Sequence, residues 1–403
     1  MSRTGDFSGF GTRAIKASTY VAPLEQEPGT VPIYQAAAFH GEDVEDLADI
    51  LSSEKRGYAY ARIDNPTANA LAEAFAGLHG AETGFAFGSG MAAIHAAILS
   101  LVGAGDRIVC TSAVYGSTRA LLSGVFDRLG VETVYVDATD SVALEAAVAA
   151  APTRLVYAET ISNPTLVVPD LEAIAAIAHA NGATFVVDNT FASPYLCQPI
   201  ALGVDLVIES ATKWLSGHSD VTAGVVAGRA ELIAGIRDVA TDTGGIAAPF
   251  SAFLVLRGLQ TLHVRMDRHS GSALALARHL DDHPAVDRVI YPGLRTHAQV
   301  EIAQRQLRAG GGIFAIELSD RVTAAAFIDA LTIPPTTATL GSVVTYVVHP
   351  PSSTHRQLDG AQLADAGIPP GLVRFSVGLE DLEDLTADID QALAISTRTG
   401  ITA

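Results

Sequence analysis

Lysine is nearly absent from this chain. Of its 403 residues only Lys16, Lys55 and Lys213 are lysines, although Lys and Arg together number 25. Lys16 and Lys55 fall in the N-terminal segment, so Lys213 stands alone in the body of the sequence. Arg supplies the remaining cationic side chains, so this one lysine needs a local reason. A primary amine can lose its proton and form a Schiff base with a carbonyl; a guanidinium cannot. Asp188 closes the apolar run Phe185-Val186-Val187, where a carboxylate is costly unless it is paired. It could cap a helix, or it could keep a pyridine nitrogen protonated and so make that ring an electron sink. Gly88-Ser89-Gly90-Met91 opens a helical pattern. The free backbone N–H groups and the dipole of a helix start can seat a phosphate. A tight turn with a Ser cap accounts for the same residues. Together with Ala93 they also resemble a loose dinucleotide fingerprint, which wants an acidic residue closing the next strand. Cys110-Thr111-Ser112 stands there instead, which argues against a nicotinamide dinucleotide site.

The elements that must position these groups follow from the hydrophobic pattern. Strands are predicted over Thr83–Phe87, Arg107–Cys110, Val131–Val136, Leu155–Tyr157, Phe185–Val187 and Leu206–Ile208. Helical stretches lie between them, among them Met91–Leu101, Ala143–Ala151 and Leu171–His179. Continuous apolar strands alternating with helices predict a parallel sheet covered on both faces, an α/β doubly wound fold. Ligands of such sheets sit at the carboxyl ends of the strands. Ser89, Tyr115, Glu159, Asn163, Asp188, Ser210, Thr212 and Lys213 all follow strand ends. After Leu256-Arg257-Gly258 the texture changes to a long helix near Leu262–Leu280, strands at Ile313–Ile316 and Val343–Val348, and a final helix near Leu382–Leu393. The expected organisation is an N-terminal arm over 1–62, a large domain over 63–257 and a smaller C-terminal α/β domain over 258–403.

In this setting Ser210-Ala211-Thr212-Lys213 with Gly217-His218-Ser219-Asp220 resembles the cofactor-lysine segment of the Cys/Met metabolism (transsulfuration) family of pyridoxal phosphate enzymes. The resemblance extends to Tyr60-Ala61-Arg62 with Asn65-Pro66-Thr67, Gly88-Ser89-Gly90-Met91-Ala92, Glu159 with Ser162-Asn163-Pro164, Val187-Asp188-Asn189-Thr190, and Leu372-Val373-Arg374-Phe375-Ser376-Val377-Gly378. It runs in order from about Thr12 to Gly378. It implies pyridoxal 5'-phosphate on a fold type I scaffold, with Lys213 as the imine-forming base and Tyr115 as the residue stacking on the ring. Asp188 would pair with the ring nitrogen, and Asn163 would sit near the ring hydroxyl. Ser89, Gly90, Met91, Ser210 and Thr212 would hold the phosphate. Tyr60 and Arg62 would reach it from a neighbouring subunit, within a homotetramer built as a dimer of active dimers. Arg374 would take the substrate carboxylate, with Thr339 and Tyr60 helping to orient it. An aminotransferase of similar fold would share the Asp and the Lys, but not Tyr60/Arg62 or the Ser-Ala-Thr-Lys segment.

The family contains γ-lyases, cystathionine enzymes and O-acylhomoserine sulfhydrylases. Where cystathionine-handling members carry charged groups, this chain has Ala59, Ala120 and Ala338, which favours a compact uncharged γ-substituent. The implied reaction is γ-elimination of the methionine γ-lyase kind, giving 2-oxobutanoate, ammonia and a thiol. The alternative is γ-replacement, as in O-acetyl- or O-succinylhomoserine sulfhydrylase or cystathionine γ-synthase, or cystathionine cleavage. Ser117 stands where γ-lyases often carry Cys, and the stretch from Val347 to Leu358 is closer to sulfhydrylases. A net charge of −19 opposes nucleic-acid or anionic-membrane partners. Met1–Asp6 lacks an apolar leader core, and two cysteines, Cys110 and Cys197, fit buried inert thiols in a reducing cytoplasm. The twelve histidines, His349 and His355 included, form no metal-ligand spacing. Glu380, Asp381, Glu383 and Asp384 read as a solvated helix start.

Overall fold

The computed structural model describes residues 7–19, 28–356 and 358–400. Met1–Asp6, and Gln357 within the Val347–Leu358 stretch, lie outside the described residues. The N-terminal segment, expected as an arm, contains helices α1 (Phe10–Thr19) and α2 (Val44–Leu51). The Asn65-Pro66-Thr67 motif begins α3 (Pro66–His79). Asn65 caps it by accepting from Thr67 N at 2.9 Å, and Pro66 sits at a first-turn position where no N–H is needed. Asn65 Nδ2 also donates to the Tyr34 carbonyl, and Thr67 Oγ1 to that of Pro32, both at 2.8 Å. One short motif thus starts a helix and ties the preceding segment to it.

The larger sheet has seven strands: β1 (Thr83–Phe87), β2 (Arg107–Thr111), β3 (Glu132–Val136), β4 (Leu155–Glu159), β5 (Thr184–Asp188), β6 (Leu206–Glu209) and β7 (Gly224–Gly228). Their order is β1-β7-β6-β5-β4-β2-β3. Strands β3, β2, β4, β5 and β6 pair in parallel, as the apolar runs predicted. Strand β7 was not foreseen and corrects the all-parallel expectation, since it pairs antiparallel with both β6 and β1. The reason lies in the connection. Between β6 and β7 the chain makes the tight turns that carry Lys213 instead of a crossover helix, so the next strand returns alongside. Side chains alternate between the two faces of the sheet. Phe185 and Val187 pack into one layer with Leu71 and Phe75, while Val186 packs into the other with Phe87 and Ile94.

The smaller sheet contains β8 (Arg288–Ile290), β9 (Ile313–Glu317), β10 (Tyr346–Val348) and β11 (Leu372–Ser376), in the antiparallel order β10-β11-β9-β8. Phe314 and Phe375 stack at its centre with ring centroids 4.9 Å apart, a contact worth about 1 kcal/mol beyond burial. Strand β10 is shorter than the predicted Val343–Val348, because Thr345 is drawn out of the ladder by Glu380. Glu380 accepts from Thr345 N at 2.7 Å and from its hydroxyl at 2.6 Å. Glu380 therefore leaves the solvated cluster expected of it, while Glu383 and Asp384 do sit in the first turn of helix Leu382–Gly400.

Candidate active site

Strands β1, β2, β4, β5 and β6 all point the same way, so their carboxyl ends share one rim. Reversed β7 does not disturb this, because β1 beyond it is reversed again. A cavity of roughly 190 Å3 opens at that rim. From the start of α4 (Gly90–Leu101) and its cap it receives Ser89, Gly90 and Met91; from the loop after β2, Tyr115; from the turn after β4, Asn163; and from the end of β5, Asp188. The Lys213 turn contributes Ser210, Thr212 and Lys213, and strand β11 of the smaller sheet contributes Arg374.

Ser89 caps α4, its hydroxyl accepting from Ala92 N at 3.1 Å. The helix start sits hard against β7, where a Cβ on Gly224 would run into the Ser89 carbonyl, so only glycine permits this closeness. Ser210 N donates to Thr190 Oγ1 at 2.8 Å, and Thr212 exchanges hydrogen bonds with the Ala223 backbone. Asp188 is buried, and one of its oxygens accepts from Thr190 N at 2.9 Å. Burial raises its pKa, against the pull of the Thr190 donors. Beside it, in register on β4, is Glu159. Burial, and then the Asp188 charge, raise its pKa well above the carboxylate range.

Lys213 Nζ donates to Thr339 Oγ1 at 2.9 Å. Burial first, and then the Arg374 charge, push the amine pKa down to about 8. Thr339 is placed by a turn whose Gly341 has φ +78°, and a Cβ there would lie 2.7 Å from Trp214 N. Arg374 is only 1% exposed. It donates through Nη1 to Asn163 Oδ1 at 2.7 Å and through Nη2 to the Thr339 carbonyl at 3.2 Å. Its Nε is buried with no partner, and burial lowers its pKa to about 10.

Tyr60 and Arg62 stand apart. Both are exposed, neither lines the cavity, and the Arg62 guanidinium lies 5.5 Å from the Tyr60 ring centroid while bonding the Thr241 carbonyl. Cys110 and Cys197 are buried and free, and burial pushes both thiols up, Cys197 to about 12. His355 is buried beside Arg374, and burial with that charge lowers it to about 4. His349 instead bonds the Pro370 carbonyl and Ser352.

Two supporting residues escaped the sequence. Arg265 donates to the carbonyls of Trp214 and Gly258, both at 2.7 Å, and through Nε to Thr261 Oγ1 at 3.1 Å. It wraps the turn that follows Lys213, yet in sequence it is one arginine among many. Thr190 could have been found, because an Asp two residues before it signals an Asp turn.

The donor set fits one cofactor well. A helix-start seat suits a phosphate, a buried carboxylate suits a protonated pyridine, and an amine of lowered pKa suits a carbonyl. The spare Nε of Arg374 remains for a further anion.

Fold and cofactor are those of a fold type I pyridoxal phosphate enzyme. The chain belongs to the family described as Cys/Met metabolism PLP-dependent enzymes, whose model matches residues 11–394. It is 41% identical over 400 residues to L-methionine gamma-lyase of Pseudomonas putida, covering 98% of this chain and 100% of that one. It is 40% identical over 386 residues to O-succinylhomoserine sulfhydrylase of Pseudomonas aeruginosa, covering 96% and 95%. Among solved structures, cystathionine gamma synthase of Xanthomonas oryzae pv. oryzae, in complex with aminoacrylate and cysteine, superimposes with a TM-score of 0.92 at 35% identity. The match spans 98% of this chain and 100% of that one.

Proposed function

We propose that the enzyme eliminates the γ-substituent of a methionine-type amino acid, converting methionine and water to a thiol, 2-oxobutanoate and ammonium. One observation carries the choice of substrate. Lys213 and Arg374 are the only cationic side chains lining the described cavity, and Ala338 lies on its wall. A substrate with one carboxylate and a neutral tail is matched; a second charged amino-acid end finds no partner in this lining.

Bound pyridoxal phosphate supplies the electron sink that makes the substrate Cα and Cβ protons labile. Ser89, Gly90, Met91, Ser210 and Thr212 would hold the phosphate, Asp188 would keep the proton on the ring nitrogen, and Asn163 would serve the ring hydroxyl. The fork of Arg374, already braced by Asn163 and the Thr339 carbonyl, takes the substrate carboxylate and fixes which Cα bond is broken. The Lys213 amine, held by the Thr339 hydroxyl, removes the Cα proton and carries the Cβ proton. Its pKa of about 8 keeps a useful neutral fraction near neutrality. Tyr115, on the cavity wall, would pack on the ring and give the leaving sulfur its proton. Tyr60 and Arg62, exposed on this subunit, complete the phosphate seat and substrate site of a neighbour. The working unit is thus at least a dimer, within a cytoplasmic homotetramer built from an arm (1–62), a cofactor domain (63–257) and a smaller domain (258–403).

γ-Replacement is the second reading, supported by the sulfhydrylase relative. A substrate panel separates the two. 2-Oxobutanoate from methionine without added thiol supports elimination. Homocysteine formed only from an acylhomoserine plus sulfide overturns it. A fully active monomer would refute the shared site.

A further inference from the structure

We infer that Glu159 is a positioning residue, a carboxyl clamp that holds the Tyr115 loop and the Asn163 turn as one unit; the inference rests on the cofactor site proposed above. Glu159 ends β4 and is 5% exposed. One of its oxygens accepts from Tyr115 N at 2.6 Å and the other from Asn163 N at 3.1 Å. The two amides belong to different loops, one following β2 and one following β4. Asn163 in turn accepts from Arg374 at 2.7 Å. A single chain of hydrogen bonds therefore runs from the Tyr115 backbone through Glu159 and Asn163 to Arg374, and all four residues line the cavity. The inward-facing Asp188 is the register neighbour of Glu159. The clamp moves no proton and touches no substrate; it acts by fixing where Tyr115 and Asn163 stand.

Only a carboxyl group satisfies this geometry. Two N–H donors converge, so two acceptor oxygens are needed. Glutamine has the same shape but would turn an NH2 toward one of the two N–H groups. Aspartate keeps both oxygens but stops one carbon short of spanning the loops. Glu209 supplies a contrast. It is equally buried at the end of β6, where it accepts from Asn189 Nδ2 at 2.7 Å and lies 3.1 Å from His79 Nε2. It alternates with Ile208 and so faces α3, on the other side of the sheet, and neither of its partners lines the cavity.

The test uses the cofactor-loaded full chain and compares E159Q with E209Q. The readouts are the visible circular dichroism per bound cofactor, which reports the asymmetric setting of the ring, the affinity for added pyridoxal phosphate, and the unfolding midpoint. E159Q should lose at least about half of the visible signal and bind cofactor about tenfold more weakly, the effect of one buried hydrogen-bond mismatch. E209Q should lower the unfolding midpoint and leave the signal per bound cofactor unchanged. If E159Q lowers the midpoint but keeps signal and affinity, Glu159 is an ordinary buried carboxylate and the inference falls. Should E159Q fail to fold, E159D, which keeps both oxygens, must show the same loss of signal, and an unchanged spectrum there overturns the clamp. Wild-type protein with no visible band would sink the cofactor site itself, and the clamp with it.

Discussion

Replacing Arg374 with lysine keeps the charge and removes the fork. The guanidinium spends Nη1 on Asn163 Oδ1 and Nη2 on the Thr339 carbonyl, and has Nε left over. A single ammonium nitrogen cannot brace itself at both of these and also present parallel donors to a carboxylate. Hydrogen bonds to charged groups are worth about 1.5–3 kcal/mol each. If one is lost outright and another is weakened, about 2–4 kcal/mol of binding disappears. At 1.36 kcal/mol per decade that is roughly thirty- to a thousandfold in kcat/KM. Initial rates of 2-oxobutanoate formation from L-methionine measure it, alongside the visible absorbance of the purified variant, which should persist because Arg374 is not assigned to the cofactor's phosphate or ring nitrogen. A kcat/KM within about threefold of wild type, with colour intact, would refute the carboxylate role.

Three further outcomes are expected. Wild-type protein should be yellow, and Lys213→Ala should be colourless on purification and regain colour only with excess pyridoxal phosphate; unchanged colour and activity would remove Lys213 from the chemistry. Gly224→Ala should force the Ser89 carbonyl to move, costing about 1–3 kcal/mol in denaturant unfolding and weakening cofactor binding; a neutral result would show that the seat yields freely. Burial raises the pKa of Asp188 and Glu159 in the folded chain, so the cofactor-free fold binds protons that the unfolded chain releases, and the stability they contribute is present below about pH 4 and lost as pH rises through the raised values. A cationic ring offsets this, so unfolding midpoints at about pH 5 and about pH 8 should fall further for cofactor-free than for loaded protein; parallel falls in the two forms would contradict the pairing.

Much of the larger sheet could be read from sequence because its strands are buried on both faces, and a parallel strand between helices leaves an unbroken apolar run. Six of its strands lie where Thr83, Arg107, Val131, Leu155, Phe185 and Leu206 open such runs. Strand β7 has the same apolar texture but lacks the helix that announces a crossover, so it merged with the Lys213 turn. The smaller sheet was harder. Strand β8 is three residues long, and β10 is cut short by a side chain 35 residues away, the Glu380 that takes Thr345. Such a contact leaves no local trace.

The same distinction governs the site. Residues at strand ends are legible singly, because a polar group closing an apolar run, as Asp188 does, demands an explanation. Arg374 sits in the middle of β11, between Val373 and Phe375, where an unpaired guanidinium is costly. The pattern alone could have marked it as an oddity, but only resemblance gave it a task. Its partners supply the physical reason. Asn163 and Thr339 each satisfy one nitrogen and leave Nε without a partner; in the function proposed above a substrate carboxylate completes it. Glu159 has the opposite history. Its motif announces no role, because its oxygens join two backbone amides that are 48 residues apart. No spacing rule describes that pairing; it arises only when β2 and β4 become neighbours in the sheet.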